Sequence, residues 1–171
     1  MLPKPDGCKP CPAYSDGQGF CADTVVLGEV EIRGQAPGVD EEREGRPYVG
    51  KTGQLMDRVF LPLAGLVRER VTISNTFRCR WSINGKKTDQ LPSGKGSKAL
   101  LQSMMICCRQ YDPPPPSKLY LAQGEWAWKS LGGPGTISEW RGNVLVGGSS
   151  RPAVLATLHL ASLFKPHRVK R

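Results

Sequence analysis

The sequence predicts an α/β domain with three layers, in which a central, mainly parallel four-stranded sheet lies between helices. Short runs rich in β-branched residues alternate along the chain with longer runs whose apolar residues recur at helical spacing. Strands that alternate with helices favour parallel pairing, because each helix returns the chain to the same edge of the sheet. We expect residues 1–171 to form a single domain, since this length is within the usual size of one.

The predicted strands are short and apolar. TVVLGEVEI (Thr24–Ile32) is the first, VTISN (Val71–Asn75) the second and KLYLA (Lys118–Ala122) the third. The segments NVLVGG and PAVLATLHLA supply two more short strands, the last of which ends at His159. In parallel sheets, ligands bind in the loops at the carboxyl ends of the strands, and Asn75 and His159 both lie at such ends.

Three helices are predicted between these strands. Residues Gly53–Arg70 carry apolar side chains at helical spacing, and Pro62 should end or kink that helix. The run Lys98–Tyr111 is also helical in pattern, and GEWAWKSLGG is a helix closed by glycines. The tetraproline Pro113–Pro116 must be extended and leads into the third strand.

The segment RGQAPGVDEEREGRPYVG (Arg33–Gly50) follows the first strand and concentrates acidic residues in a basic chain. Pro37 and Pro47 lack amide donors, and several glycines weaken regular structure, so the segment is predicted as a loop that continues neither a helix nor a strand. It is too long for a simple connector. These features predict a functional loop.

The charge of the chain favours a polyanionic partner. The formal net charge is +9, with 24 Lys and Arg against 15 Asp and Glu. Nucleic acid is the commonest polyanion, although a surface tuned for solubility accounts for the excess equally well. The basic residues concentrate at Arg78–Arg80, Lys86–Lys87, Lys95, Lys98 and Lys165–Arg171.

The sequence gives no indication of membrane insertion or secretion. No apolar run approaches the length of a membrane span, and the N-terminus MLPKPDGCKP lacks the apolar core of a signal peptide. We therefore expect a cytoplasmic protein with no membrane partner. In that compartment six cysteines are not expected to form a disulfide framework.

The cysteines instead have the spacing of a metal centre. Cys8 and Cys11 form a C-x-x-C motif, Cys79 follows a predicted strand, the pair Cys107–Cys108 lies late in a predicted helix, and Cys21 stands alone. One close pair with two distant single cysteines suits four thiolates around zinc or an iron–sulfur cluster. The spacing alone does not choose between the two.

Several motifs resemble those of the family 4 uracil-DNA glycosylases. GQAPGVDEEREGRPYVGKTGQLMD resembles their first motif, G-E-A-P-G followed by acidic residues and G-R-P-F-V-G, and SNTFRCR is similar to T-N-x-x-K-C-R. CRQY and LHLAS are similar to C-x-P-Y and H-P-S, with Leu160 in place of the proline. The resemblance covers Cys8 to about Phe164 and is to a divergent, C-terminally short member, which implies the uracil-DNA glycosylase-like fold.

The resemblance implies a pocket for a base flipped out of DNA. Gly34 and Ala36 would let backbone amides approach uracil closely, and Tyr48 takes the place of a phenylalanine that stacks on the base. The amide of Asn75 offers an acceptor and donors, so it would bond uracil N3–H and O4 and mismatch cytosine.

The same resemblance implies the catalytic groups. His159 would donate a hydrogen bond to uracil O2 as negative charge develops there. Glu41 is the carboxylate expected to orient or activate water, with Glu42 or Asp40 as alternatives. Gln35 stands where the family has a glutamate, and its amide keeps hydrogen-bonding capacity.

The family also carries a structural [4Fe–4S] cluster, and zinc is the alternative occupant. Cys108 is preferred to Cys107, because Tyr111 then falls where the family motif has its aromatic residue. The cluster would tie the N-terminal segment, residues 1–22, to a basic loop at residues 78–97. The expected ligands are Cys8, Cys11, Cys79 and Cys108. The expected phosphate contacts are Arg78, Arg80, Lys86 and Lys87.

The expected function is that of a DNA repair enzyme, a hydrolase that removes uracil from DNA and leaves an abasic site. The alternative is a non-catalytic DNA-binding or polymerase-associated module of the same fold. Gln35 favours that alternative, whereas Tyr48, Asn75 and His159 together favour the enzyme. We expect a monomer in a bacterial, archaeal or phage-infected cell, associated with replication or repair proteins.

Overall fold

The computed structural model describes residues 2–15, 19–83, 86–88, 90–112, 117–148 and 152–164, without the side chains of residues 82, 83, 86 and 87. The tetraproline Pro113–Pro116 and the basic residues Lys165–Arg171 lie outside the described residues.

The strands form one sheet and one hairpin. Across the described residues they are β1 (Val30–Gly34), β2 (Val71–Asn75), β3 (Trp81–Ile83), β4 (Lys86–Thr88), β5 (Leu119–Gln123), β6 (Val144–Leu145) and β7 (Ala153–Thr157). The sheet has the order β2-β1-β5-β7-β6. Its first four strands are parallel, and β6 pairs antiparallel with β7 at the edge. The predicted mainly parallel sheet is thus present, with five strands in place of four, and β6 falls in the predicted strand segment NVLVGG.

The helices surround this sheet. They are α1 (Val39–Glu44), α2 (Lys51–Leu55), α3 (Leu61–Leu63), α4 (Ser97–Arg109), α5 (Glu125–Ser130) and α6 (Ile137–Trp140). A π-helical turn (Met56–Phe60) joins α2 to α3 without a break, and 3-10 turns form at Asp6–Cys8, Arg68–Arg70 and Leu160–Phe164. The predicted helices are confirmed, and α1 is an addition inside the segment predicted as a loop.

The first strand begins later than predicted. Thr24 only forms an isolated bridge with Ile73, and β1 starts at Val30. Between them the chain bends at Gly28, whose N–H donates to the Val26 carbonyl. A Cβ at residue 28 would collide with the carbonyl oxygen of Arg70. Close backbone approach at a glycine therefore breaks the apolar run into two pieces.

The helical run that contains Pro62 ends one residue after it, at Leu63. Because proline has no N–H, it cannot donate back to the preceding turn of an α-helix. The π-helical turn at Met56–Phe60 immediately precedes it, and the helix stops at Leu63. Met56 and Leu61 from this run are buried against β1 and β2. The local change of helix type thus keeps the apolar side chains facing the sheet.

Two apolar clusters fill the layers on either side of the sheet. On one face, strand residues such as Ile32 and Ile73 pack with the α2–α3 run and with Leu160. On the other face, Tyr120 and Ala156 pack with side chains of α5 and α6. A third cluster joins the N-terminal segment to β3 and α4. This is the three-layer architecture that the sequence predicts.

A buried ionic network occupies the second face of β1. Glu31 and Arg33 point to the same side of the strand, and both are almost fully buried. The Glu31 Oε1 atom accepts hydrogen bonds from Arg33 Nε and Nη2, at 2.9 and 2.7 Å, and from Ser74 Oγ at 2.7 Å. Arg33 Nη1 also donates to Asp112 Oδ2 at 3.2 Å. Since buried charges are costly unless they are paired, these contacts depend on one another.

No helix within the described residues is long and apolar enough to cross a membrane.

The Glu31–Arg33 pair gives a prediction about stability. We expect Arg33→Met to lower the free energy of unfolding by about 3–5 kcal/mol, because it leaves the Glu31 carboxylate buried without a cation. Arg43, whose side chain is 69% exposed, pairs with Asp40 at the surface. Arg43→Met should therefore change the free energy by no more than about 0.5 kcal/mol. Denaturant titration measures the free energy of unfolding of both variants. Equal losses in the two would show that the buried Glu31–Arg33 pair contributes no more to stability than a surface pair.

Candidate functional site

The carboxyl ends of the parallel strands bring several polar and aromatic residues together. Gly34 ends β1 and is paired in register with Asn75, which ends β2. Gln123 ends β5, and His159 follows β7 after Leu158. The predicted residues Gly34, Asn75 and His159 therefore lie along one edge of the sheet, where parallel α/β folds bind ligands.

Gly34 leaves room for two of these side chains. A Cβ at residue 34 would lie 2.6 Å from Asn75 Oδ1 and would collide with the Tyr48 hydroxyl. Asn75 is 2% exposed, and within the described part of the chain its side-chain amide makes no hydrogen bond. The absence of a side chain at Gly34 is thus required for Tyr48 and Asn75 to stand beside one another.

Tyr48 is held in a backbone conformation that non-glycine residues rarely adopt. Its φ is 55°, and its side chain is buried. Arg68 Nη1 donates to the Tyr48 carbonyl at 2.9 Å, and Arg68 Nη2 donates to the Pro47 carbonyl at 2.7 Å. Arg68 is in turn fixed by Asp57, and Gly53 packs directly on the Tyr48 carbonyl. Strain that is maintained by surrounding contacts in this way is typical of functional sites.

Glu41 fixes the remainder of the loop. Its Oε1 atom accepts hydrogen bonds from the N–H groups of Val49 and Gly50, at 2.9 and 2.8 Å, and its Oε2 atom accepts one from Gly38 at 3.1 Å. Both carboxylate oxygens are thus bonded to backbone amides of the same loop. This arrangement differs from the expectation that Glu41 handles water, because it gives the carboxylate a structural task.

The acidic residues of this segment lie in α1 and not in an irregular loop. Asp40, Glu41 and Glu42 occupy the first helical turn, where the helix dipole favours negative charge. Glu42 is buried and pairs with Arg80 at 3.3 Å. The acidic cluster is therefore explained by a short helix with its N-terminus at Gly38.

His159 stands next to Tyr48. The two rings are nearly parallel, with an interplanar angle of 24° and centroids 6.1 Å apart. His159 Nδ1 accepts a hydrogen bond from the Ala161 N–H at 3.1 Å. An accepting Nδ1 places the proton of a neutral imidazole on Nε2, so the ring presents Nε2–H as a donor.

Gln35 and Ala36 connect the site to the third apolar cluster. The Gln35 carbonyl accepts from the Phe77 N–H at 2.9 Å, and its side chain is half-buried. Ala36 is half-buried and packs against the cluster that contains Phe77 and Trp81. Both residues therefore lie beside Gly34 at the edge of the sheet, and their roles stay predictions.

The cysteines also come together, at a second location. Five of them line one cavity with Lys4, Phe77 and Arg78, and the described residues hold no disulfide. The cavity-lining cysteines are Cys8, Cys11, Cys79, Cys107 and Cys108. Cys21 is buried elsewhere. Among the described residues, no three side chains of metal-ligand type surround a single point closely enough to hold one ion.

Burial raises the pKa of three of these thiols. Burial raises the pKa of Cys79 to about 12 and that of Cys108 to about 11. The pKa of Cys11 is raised as well, again chiefly by burial. The Arg78 backbone N–H donates to the Cys108 thiol, which opposes this effect. Thiols in such surroundings ionise readily only when a cation binds them.

The prediction that Arg78 and Arg80 contact phosphates is wrong. Arg78 is 1% exposed, and its guanidinium donates to Asp23 and Asp112. Arg80 is 9% exposed and pairs with Glu42. Both side chains serve the interior of the protein, so they are not available to DNA. Lys86 and Lys87 form part of the β3–β4 hairpin, and their side chains lie outside the described part of the structure.

Comparison with known proteins identifies the family of this chain. The model of the Uracil DNA glycosylase superfamily matches residues 28–171, which is most of the chain. The chain belongs to the uracil-DNA glycosylase superfamily.

Curated members of this superfamily show more limited similarity. The chain is 34% identical over 79 residues to a type-4 uracil-DNA glycosylase of Sulfurisphaera tokodaii, covering 43% of this chain and 34% of that protein. It is 31% identical over 105 residues to a type-4 uracil-DNA glycosylase of Thermotoga maritima, covering 58% and 52%. A type-4 uracil-DNA glycosylase of Saccharolobus solfataricus is 44% identical over 52 residues, covering 30% and 24%. The matched part of the chain thus spans a quarter to a half of the length of these relatives.

The sequence analysis missed two residues of this candidate site. Gln123, 2% exposed, accepts a hydrogen bond from the Tyr48 hydroxyl at 2.9 Å. Arg68 carries the two carbonyl contacts that hold the Tyr48 backbone. The only sequence signal for Gln123 is a polar residue directly after the predicted strand Lys118–Ala122, and Arg68 has no signal at all.

The Glu41 contacts predict a local effect. We expect Glu41→Ala to accelerate hydrogen exchange at the Val49 and Gly50 amides and to cost about 1.5–3 kcal/mol of stability, because several backbone donors lose a charged acceptor. Glu44→Ala removes a carboxylate of the same helix that pairs only at the surface. It should leave both quantities unchanged. Unaltered exchange at Val49 and Gly50 in Glu41→Ala would contradict the structural role.

Proposed function

We propose that this chain is a uracil-DNA glycosylase, which hydrolyses the N-glycosidic bond of deoxyuridine in DNA and leaves an abasic site. The observation that carries the proposal is that the Tyr48 and Asn75 side chains both lie against Gly34, with His159 beside Tyr48. A stacking ring, an amide and an imidazole donor are the groups that the chemistry requires. The names of the relatives, type-4 uracil-DNA glycosylases, agree with it.

Base recognition falls to Asn75 and Tyr48. An enzyme that acts on a base in duplex DNA must flip it out and read its Watson–Crick edge. The buried Asn75 amide has no hydrogen bond within the described residues, so its oxygen and NH₂ group remain for uracil N3–H and O4. Cytosine presents the opposite donor and acceptor pattern at these positions and would be rejected.

His159 acts on the leaving group. Cleavage of the glycosidic bond leaves cationic character on the sugar and negative charge on uracil. The Nε2–H of a neutral His159 would donate to uracil O2 as that charge develops, and a preformed donor requires no reorganisation during the step. The Ala161 N–H on Nδ1 keeps the proton on Nε2.

Glu41 supports the reaction by holding the loop, and water attack needs a different polar group. Three backbone amides occupy the Glu41 carboxylate. The half-buried Gln35 lies beside Gly34, and its amide would orient the water that attacks the sugar. An amide orients water without removing its proton, so we expect catalysis to depend more on His159 than on this residue.

Lysines are the residues that we expect to hold DNA. Because Arg78 and Arg80 are buried, we assign phosphate contacts to Lys86 and Lys87 of β4 and to the exposed Lys95 and Lys98, which follow them in the sequence. Action as a single-domain monomer and association with replication or repair proteins stay predictions.

The cysteine cavity suits the [4Fe–4S] cluster that the resemblance implies. Five cysteines line this one cavity, and four cysteine thiolates are the usual ligands of such a cluster. Cys8, Cys11, Cys79 and Cys108 would hold the cluster. Its contribution there is structural.

Uracil release from a defined oligonucleotide tests the function. The wild-type protein should convert a single deoxyuridine to an alkali-labile abasic site, and His159→Ala should lower the rate by about 100-fold or more. Asn75→Asp should shift the preference toward cytosine, because a carboxylate accepts from its N4 amine. A folded wild-type protein that binds DNA and releases no uracil would instead favour the non-catalytic DNA-binding module.

Neighbouring cysteines provide a matched test of the cluster. Cys108→Ser and Cys79→Ser should each lose visible absorbance and iron and should unfold at lower denaturant concentration, because a metal ligand contributes folding energy. Cys107→Ser, one residue away, should keep both. A colourless wild-type protein that contains zinc would show that the alternative metal is bound. If Cys107→Ser loses iron and Cys108→Ser keeps it, Cys107 and not Cys108 is the ligand.

A further inference from the structure

The Tyr48 hydroxyl is buried and has a defined acceptor. It donates to Gln123 Oε1 at 2.9 Å, from a residue 75 positions away in the sequence. Tyr48 is 4% exposed and Gln123 is 2% exposed. Burial, with a smaller effect from Glu41, raises the pKa of this phenol far above its usual value, so the hydroxyl remains a donor.

This hydrogen bond is a physical requirement of a tyrosine at this position. A buried hydroxyl without an acceptor costs free energy comparable to a lost hydrogen bond. A phenylalanine, which the related motif carries here, would have no such need. The Gly34 backbone lies against the other side of the hydroxyl. Gln123 is thus the side chain that makes a tyrosine acceptable in place of phenylalanine.

The bond completes the restraint on the ring. Arg68 and Glu41 hold the backbone around Tyr48, and Gly34 limits the ring from one side. Gln123 fixes the far end of the ring from β5, a rigid strand paired with β1 and β7. The ring plane is therefore set by contacts at both of its ends, beside His159 and Asn75.

We propose that Gln123 is a positioning residue, whose hydrogen bond to the Tyr48 hydroxyl orients the ring on which the flipped uracil stacks. The inference rests on the proposed glycosylase function. A misplaced ring alters the geometry of the reacting base and hence the chemical step. Contacts with DNA phosphates lie elsewhere and supply most of the binding. Gln123 therefore affects kcat more than KM.

A double-mutant cycle tests the pair: wild type, Tyr48→Phe, Gln123→Leu and the double variant, each assayed for kcat and KM on the deoxyuridine oligonucleotide. Gln123→Leu leaves the Tyr48 hydroxyl without its acceptor, and we expect kcat to fall about tenfold or more with KM within about threefold. The double variant pairs two apolar side chains and should recover kcat to within about threefold of the wild type.

The outcomes separate this inference from the proposed function. If the wild type releases no uracil, the glycosylase function itself fails, and this inference fails with it. If the wild type is active and the two losses simply add in the double variant, only the role of Gln123 is refuted. A wild-type kcat in Gln123→Leu refutes it as well. If Gln123→Leu does not fold, recovery of kcat and of the unfolding midpoint in the double variant still supports the pair, and a double variant with low kcat overturns it.

A matched control excludes a general effect of losing a buried phenol. Tyr120 is 7% exposed and lies on the opposite face of the sheet, in the cluster with Trp128. Tyr120→Phe should lower the unfolding midpoint and leave kcat within about twofold of the wild type. A kcat loss in Tyr120→Phe as large as that in Gln123→Leu would overturn the specific role of Gln123.

Discussion

The Arg78 guanidinium makes the contacts on which the rest of this structure depends. It donates to the carbonyl of Asn75 at the end of β2 and to the carbonyl of Tyr111 beyond α4. It also pairs with Asp23 from the N-terminal segment and with Asp112. A single buried side chain therefore joins three segments that are remote in sequence. Removing it would leave the buried Asp23 carboxylate without this cation, whereas Asp112 would keep its contact with Arg33.

The ionic network around Arg78 fixes the positions of its members more than it raises the free energy of unfolding. Arg78 Nε and one oxygen each of Asp23 and Glu31 are buried without a hydrogen-bond partner in the described structure. Burial raises the pKa of Asp23 to about 6 against the opposing effect of Arg78. An apolar interior of equal volume would avoid these costs. The ionic arrangement instead fixes the orientation of the bonded groups, because a planar guanidinium forms hydrogen bonds only in fixed directions. The end of β2, and with it Asn75, is oriented accordingly.

The sequence predicts the sheet, the helices and the place of the site, since these follow from local patterns. Asn75 and His159 are recognisable because each lies where a predicted strand ends, whereas Gly34 follows from the resemblance of its motif. Whether a charged side chain is buried or exposed, in contrast, depends on partners that are distant in the sequence. Arg78 and Arg80 follow one another in a basic run that resembles a solvated surface, yet both are drawn inward by carboxylates distant in sequence. Gln123 was missed for the same reason, because its partner Tyr48 comes from another element.

Arg78 connects the cysteine cavity to the carboxyl end of β2. Arg78 lines the cavity, its N–H bonds Cys108, and its guanidinium holds the carbonyl of Asn75. Anything that binds the folded cavity and not the unfolded chain stabilises the fold by mass action. Because Arg78 connects that cavity to the end of β2, binding in the cavity would also restrain the position of Asn75.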